Sequence, residues 1–445
     1  MRITPYLLSL FLIPLLAVGE TVTPPSTSES AEQQSRSGEI AATTEAESTA
    51  DSVDLPGPLS TLDQLQQAMV DAEAEGGAYS PKVGELMYSL GINQREGQEY
   101  DKAIETFRRG MHIDKVNNGI TSINQVPYLE QIATTENMRA DAEAATDALA
   151  YVNWIYEQNF GPYSPQIIDP LLRLANQHQQ MATGADYEQD LLHLQYAHRY
   201  LQRAAMIAER ELEKNPVKQQ QIYLGLTNIN WELAKFLKDG EGARRGSGFT
   251  FNIGNQTVPE NQQLSVLSNS YQSGKGALMA NLKTVELMDA PAESAAEATA
   301  LLADWHLLFG RRQTATATYQ IAYEHLSKLD NPEPARERIF HNPVPIPLFD
   351  DNAGIEQNPA LATGSSDASS SNAETASRKI TFRMSINKYG FPRQIEVIES
   401  PDSLSQAELD QAISDVKNTR FRPRLEDGRL VYSDDVMYTL NMRQP

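Results

Sequence analysis

One spacing constrains this chain more than its composition does: small and turn-forming residues recur every 42 positions. Gly77-Ala78-Tyr79-Ser80-Pro81 returns as Gly161-Pro162-Tyr163-Ser164-Pro165, 84 residues later, and Gly119 and Ser122 stand midway. Gly91, Ala133 and Ala175 keep the same interval of 42. Three independent positions sharing one period mark an internal repeat. A period of roughly 20–50 residues is the signature of a stacked array, whose units bury their apolar faces against neighbours.

Each unit reads as two helices. In the first, Leu90-Gly91 lies on one helix, and Tyr100, Ala103, Phe107 and Gly110 follow on a second at i, i+3, i+7 and i+10. Gly91 and Ala103 let the two helices approach, while Tyr100 and Phe107 fill the space beside the contact. The middle unit carries Ala133 and Ala145. The third opens on Leu174-Ala175 and closes on Ala197, Leu201 and Ala204, after an insertion around Gly184-Ala185-Asp186. Between Val217 and Met288 the pattern is helical but irregular, with a Gly-rich loop expected from Asp239 to Gln263. Leu302-Ala303, Ala315, Tyr319 and Ala322 then repeat the spacing, with Trp305 on the first helix and Gly310 near the turn.

This pattern resembles the tetratricopeptide repeat, in the 42-residue form found in kinesin-light-chain-type arrays. The resemblance implies a mostly α fold, a tetratricopeptide-like α-solenoid over residues 61–335, whose first helices line a groove for extended peptides or helices. Carried over by position, Tyr88, Ile92 and Arg95 face that groove in the first unit, and Asp304 faces it in the last.

Residues 336–377 read as a linker. Asn342 to Pro347 favours an extended polyproline stretch, and Gly364 to Ser377 is rich in Ser, Ala and Asn. A shift in composition then opens a module at 378–445. Ile380, Phe382, Met384 and Ile386 alternate with polar residues as in a half-buried strand. Tyr389-Gly390 supplies a turn, and Gln394 to Glu399 a second strand. Ser405 and Glu408 make a capping box for a helix whose apolar face is Leu409, Ala412, Ile413 and Val416. Arg420-Phe421-Arg422-Pro423 and a turn at Asp427-Gly428 precede a last strand through Val436, Tyr438, Leu440 and Met442.

Gly390, the helix from Ser403 to Val416, the Arg420–Pro423 motif and Asp427-Gly428 stand in the places that recur in the C-terminal domain of the TonB family, which this module resembles. Ser400-Pro401-Asp402-Ser403 replaces that family's usual Ser-Gly bend. The resemblance implies a small α+β domain of ββαβ order that offers a strand edge to a segment of an outer-membrane receptor by β-augmentation. Val436, Tyr438 and Leu440 belong to that strand. Arg420, Arg422, Arg424 and Arg429 form a basic cluster with two readings: cross-strand pairing with Glu396, Glu399, Glu426 and Asp427, or contact with an acidic partner through Arg420 and Arg422.

The N-terminus speaks to the compartment. Arg2, the apolar run Tyr6 to Val18 and Ala17-Val18-Gly19 form a signal-peptide pattern over residues 1–19. That run contains Pro14 and falls short of the roughly 20 residues that span a bilayer. Residues 20–60 are acidic and Ser/Thr-rich, without periodicity, and are expected to be disordered.

The remaining readings are exclusions. A net charge of −22 argues against nucleic acid, and the lack of cysteine removes disulfides and thiolate chemistry. His193 and His198 lie about 140° apart around a helix, so they do not form a metal pair. Gly240–Gly246 and Ser273–Gly276 miss the phosphate-binding spacings, and no nucleophile elbow is present. No catalytic residue, cofactor or metal is therefore expected. The expectation is a periplasmic adaptor, exported through a cleaved signal peptide, that binds protein partners such as an outer-membrane receptor or other envelope proteins. The alternative is an inner-membrane-anchored TonB-type energy transducer for outer-membrane receptor transport, with membrane contact only if the N-terminal segment is retained.

Overall fold

The 42-residue period becomes a series of antiparallel helical hairpins. A first helix, α1 (Leu62–Gly76), leads into α2 (Pro81–Glu96) and α3 (Tyr100–Asn118). The next hairpins are α4 (Val126–Met138) with α5 (Ala142–Phe160), and α6 (Ile168–Met181) with α7 (Tyr187–Arg210). In each hairpin the two helices pack on one another, and the second packs on the first helix of the next, so the hairpins stack in chain order. The computed structural model describes residues 62–184, 186–210, 215–244, 251–253, 256–258, 260–288, 290–346, 378–401 and 404–442. The expected signal peptide, the acidic segment 20–60 and linker residues 347–377 lie outside these.

The period has a backbone cause. Gly77, Gly119 and Gly161 each follow a second or preceding helix with φ of +81°, +90° and +87°, values that L side chains rarely adopt. Asn117 and Asn159, also 42 apart, each donate to the carbonyl four residues back. Each also donates across the turn, to Tyr79 O and Thr121 O respectively, both at 2.7 Å. One glycine and one asparagine per unit thus fix the angle between successive hairpins. Inside the first hairpin Gly91 lies beneath Phe107: a Cβ there would stand 2.5 Å from the ring.

The irregular region departs from expectation. Helix α8 (Pro216–Arg244) runs into the start of the glycine-rich stretch. It is followed by a short antiparallel ribbon, β1 (Phe251–Ile253) with β2 (Gln256–Val258), and then by α9 (Glu260–Leu287). The two long helices pair with each other, making a longer hairpin in the same stack. Buried Ile222, Ile229, Leu233 and Leu278 supply the apolar positions along the two long helices. The last hairpin is α10 (Ala292–Leu308) with α11 (Arg312–Leu326), around fully buried Trp305 and Tyr319.

The start of the expected linker is folded. Helix α12 (Glu333–Arg336) continues into a π-helical turn, Glu337–His341, which buries Ile339 and Phe340 against Trp305 and Tyr319. The proline-rich stretch that follows is extended, but it is a strand: β3 (Val344–Ile346). The chain resumes with β4 (Arg378–Ile386), β5 (Pro392–Glu399), α13 (Gln406–Asn418) and β6 (Arg420–Arg422). A small ribbon, β7 (Leu425–Glu426) with β8 (Arg429–Leu430), and the long β9 (Ser433–Met442) complete it. The main sheet has the order β5-β4-β9, all antiparallel, and α13 packs Ala412 and Val416 against Ile380, Phe382 and Met384.

Strand β3 pairs antiparallel with β6, Val344 opposite Arg422 and Ile346 opposite Arg420. Leu425 enters the same apolar cluster as Trp305, Tyr319 and Phe340, with Leu430 and Tyr323 at its margin. The terminal module thus covers the open end of the helical stack. An array needs such a cap, because its last hairpin has no neighbour to bury its apolar face.

Candidate protein-binding surfaces

Three surfaces bear the residues singled out from sequence: the first-helix face, the junction between stack and module, and the β9 edge of the sheet.

On the first-helix face, Tyr88 and Arg95 of α2 converge on one residue of α4. The Gln131 amide donates to Tyr88 Oη at 3.1 Å, and its carbonyl oxygen accepts from Arg95 Nη1. Tyr88 is further held edge-on to Tyr128, with ring centroids 5.5 Å apart. Ile92 is half-buried against the apolar cluster that holds Phe107, Leu129 and Ile132. One repeat later, Glu130 accepts from Arg173 of α6, and Asn137 and Gln177 exchange two amide hydrogen bonds of 2.9 Å. Gln179 continues the series to Glu232 of α8 at 3.2 Å. Successive first helices are therefore tied by polar rungs. Such a face offers amides and charges to an extended backbone more readily than apolar surface. Gln131 was not singled out from sequence, because an exposed-looking glutamine carries no signal without its neighbours.

The junction overturns two assignments. Asp304, expected to face the groove, is 3% exposed, and Arg422, expected to contact an acidic partner, is 6% exposed. They bind each other. Arg422 Nε donates to both carboxylate oxygens at 3.0 and 3.2 Å, and Nη2 donates to Oδ2 at 2.5 Å. Tyr319 Oη donates to Oδ1 at 2.6 Å. Burial works against the Arg422 charge, yet the carboxylate beside it holds the guanidinium pKa above its ordinary value. Burial and the same carboxylate push the Tyr319 phenol well up, so it stays a donor.

The rest of the basic cluster divides. Arg424 pairs at 2.5 Å with Glu426, two residues along the same segment and not across a strand pair. Arg420 stacks on Phe391 at 3.2 Å, with Arg312 of α11 5.4 Å from the same ring. Burial and the charge of Arg312 lower the Arg420 pKa to about 10. Arg420 is half-buried packing at the junction, not an open contact.

On β9, Val436, Tyr438 and Leu440 stand opposite Met384, Phe382 and Ile380 of β4 and pack on the module's core. Tyr438 meets Phe421 edge-on at 5.5 Å. Their side chains face inward, so they cannot be the side chains that meet a partner. The alternate residues turn outward, among them Met437 at 54% exposure. The backbone is another matter. Strand β9 bonds to β4 along one side, and among the described residues no strand bonds to its other side.

The histidines form no metal centre. His193 turns toward His178, Nδ1 to Nδ1 at 3.1 Å, in a stacked pair that Tyr196 and Tyr200 flank. Burial, then the His193 charge, lowers the His178 pKa to about 4. Among the described residues no group of three or more His, Asp or Glu side chains could hold a metal ion, and no helix is long and apolar enough to cross a membrane.

No protein-family model matches this chain, and no curated protein matches it. Among solved structures, a Podosopora anserina protein with nearly identical TPR-like repeats, of the kinesin light chain, is 13% identical. That match covers 57% of this chain and 99% of the other, with a TM-score of 0.34. BtubC (BKLC) from P. vanneervenii is 12% identical over 44% of this chain and 85% of that one, with a TM-score of 0.27. A circular tandem repeat protein is 12% identical over 62% and 67%, with a TM-score of 0.31. Likeness at these scores is not the ground for the fold assignment. The stacked helical hairpins and their 42-residue glycine series are.

Proposed function

We propose that this protein is an exported scaffold that binds other polypeptides and catalyses no reaction, working in the periplasm after loss of residues 1–19. The observation that carries this reading is the outer edge of β9, to which no other strand bonds among the described residues, where an extended segment can join as a further strand. The amide-bearing first-helix face supports it as a second surface for an extended chain. The resemblance of the module to the TonB family favours an envelope protein as the partner at the edge.

Site-specific photocrosslinking tests the reading. A benzoylphenylalanine at Met437, beside that edge, is expected to crosslink a polypeptide in envelope extract. The same probe at Met206, exposed on α7 away from the sheet, serves as the control. Equal crosslinking at both positions, or none at Met437, would contradict it. The mass of the mature chain tests export: a start at Glu20 is expected, and an intact Met1 counts against it.

A further inference from the structure

The insertion at Gly184-Ala185-Asp186 has a structural correlate that the repeat alone does not explain. Beside it opens a cleft of about 550 Å³. Its lining comes from the end of α6 (Asn176, Gln179, Gln180), the start of α7 (Asp190) and the far part of α8 (Glu232, Lys235, Phe236). Asp190 is the anomaly. It is 3% exposed, and no donor reaches its Oδ2. Its position in the first turn of α7 favours the negative charge electrostatically. Yet the α7 amides nearest it are served by Asp186, whose Oδ1 accepts from Glu188 N and Gln189 N at 3.0 and 3.3 Å. A buried carboxylate oxygen without a donor is unfavourable unless a counter-charge arrives.

We infer that this cleft is a subsite for a cationic side chain, lysine or arginine, of a bound polypeptide, with Asp190 as its counter-ion. Three features of the cleft agree. The last turn of α6 presents the negative end of a helix to the same space. Glu232 adds a second carboxylate at the rim, and the Gln179 amide, 3.2 Å from it, holds it in place. Phe236, stacked on Tyr187 with centroids 4.3 Å apart, gives an aromatic wall along which an alkyl stem or guanidinium plane can lie. Lys235 is the one cation in the lining, and it is exposed. The first-helix rungs end at Glu232, so a chain laid along that face would bring a side chain to the cleft. The inference rests on the polypeptide-binding reading above for the identity of the ligand, but not for the chemistry of the site.

The test uses the full chain and two probes, n-butylguanidinium and a hexapeptide with one lysine among alanines, followed by ligand-observed saturation-transfer NMR. Saturation is expected at the alkyl protons of both probes. Asp190→Asn is expected to weaken binding about tenfold, the loss of one charge-assisted contact. Lys235→Glu, at an exposed position that leaves the core intact, is expected to strengthen it. Binding by the folded D190N chain equal to that of the native chain, or weakening by K235E, would overturn the subsite. So would preference for an all-alanine or acidic hexapeptide. Failure of the Met437 crosslink with cation binding intact would sink the scaffold reading alone.

Discussion

Asp304 and Arg422, 118 positions apart in sequence, make a buried ion pair that fastens the terminal module to the last helical hairpin. The carboxylate accepts three Arg422 contacts and one from Tyr319, so little of its lone-pair capacity is left unmet. Removing the Asp304 charge leaves Arg422 buried without a counter-ion, and removing Arg422 leaves the buried Asp304 carboxylate only the Tyr319 hydroxyl. Asp304→Asn and Arg422→Met are each expected to cost about 3–5 kcal/mol, read by urea denaturation. The apolar double variant Asp304→Leu with Arg422→Met is expected to recover much of that loss. Single variants within about 0.5 kcal/mol of the native chain would show the pair to be open to water.

Gly390 and Gly161 separate two kinds of glycine requirement. Both have positive φ, +72° and +87°, but a Cβ at Gly390 would stand 1.9 Å from the Phe421 carbonyl oxygen while one at Gly161 meets nothing within 4 Å. Gly161→Ala is expected to cost only its backbone strain, roughly 1–3 kcal/mol. Gly390→Ala must also displace β6, so it is expected to cost more and to weaken the Phe421 N–H bond to Gly390 O, now 2.9 Å. Equal thermal shifts for the two variants would contradict this.

Two buried histidines set a pH dependence. Burial lowers His178, and burial with Lys275 and Arg311 lowers His306, each to about 4 from an ordinary 6.5. Both are neutral in the folded chain at pH values where the unfolded chain protonates them. Their contribution is therefore complete above about pH 6.5 and is lost as the pH falls toward 4. The melting temperature is expected to drop across that window. Replacing His178 and His306 by glutamine is expected to flatten that drop. A native melting temperature unchanged between pH 6.5 and 4.5 would contradict the assignment.

Cutting one rung of the first-helix face isolates its role. Gln131→Ala removes the shared partner of Tyr88 and Arg95 and is expected to cost about 1 kcal/mol, with circular dichroism unchanged. A loss above about 3 kcal/mol would mean that this face holds the stack together and is not free for a partner.

Local features were legible in the sequence. The glycine interval gave the hairpin count its rhythm because a φ that only glycine adopts recurs once per unit, and the alternation around Phe382 marked β4. What could not be read was anything set by a distant neighbour. Asp304 lies in Leu301-Leu302-Ala303-Asp304-Trp305, a lone charge in an apolar run. That pattern signals a buried pair, but it does not name Arg422. Pro343, Pro345 and Pro347 suggested a linker. Pro345 lies instead in a short strand that, among the described residues, bonds on one side only, to β6, where a missing N–H group is tolerated. The inward turn of Val436, Tyr438 and Leu440 follows from the register with β4, which alternation alone leaves free to point either way.

Whether the terminal module and the helical stack open as one body is tested most directly by native-state hydrogen exchange. Amides of β6 and of the second half of α10 are expected to share one opening free energy, and Arg422→Met is expected to lower both together while α2 and α3 keep their protection. Exchange in β6 that is independent of α10, with Arg422→Met affecting only one of them, would contradict the union of the two parts.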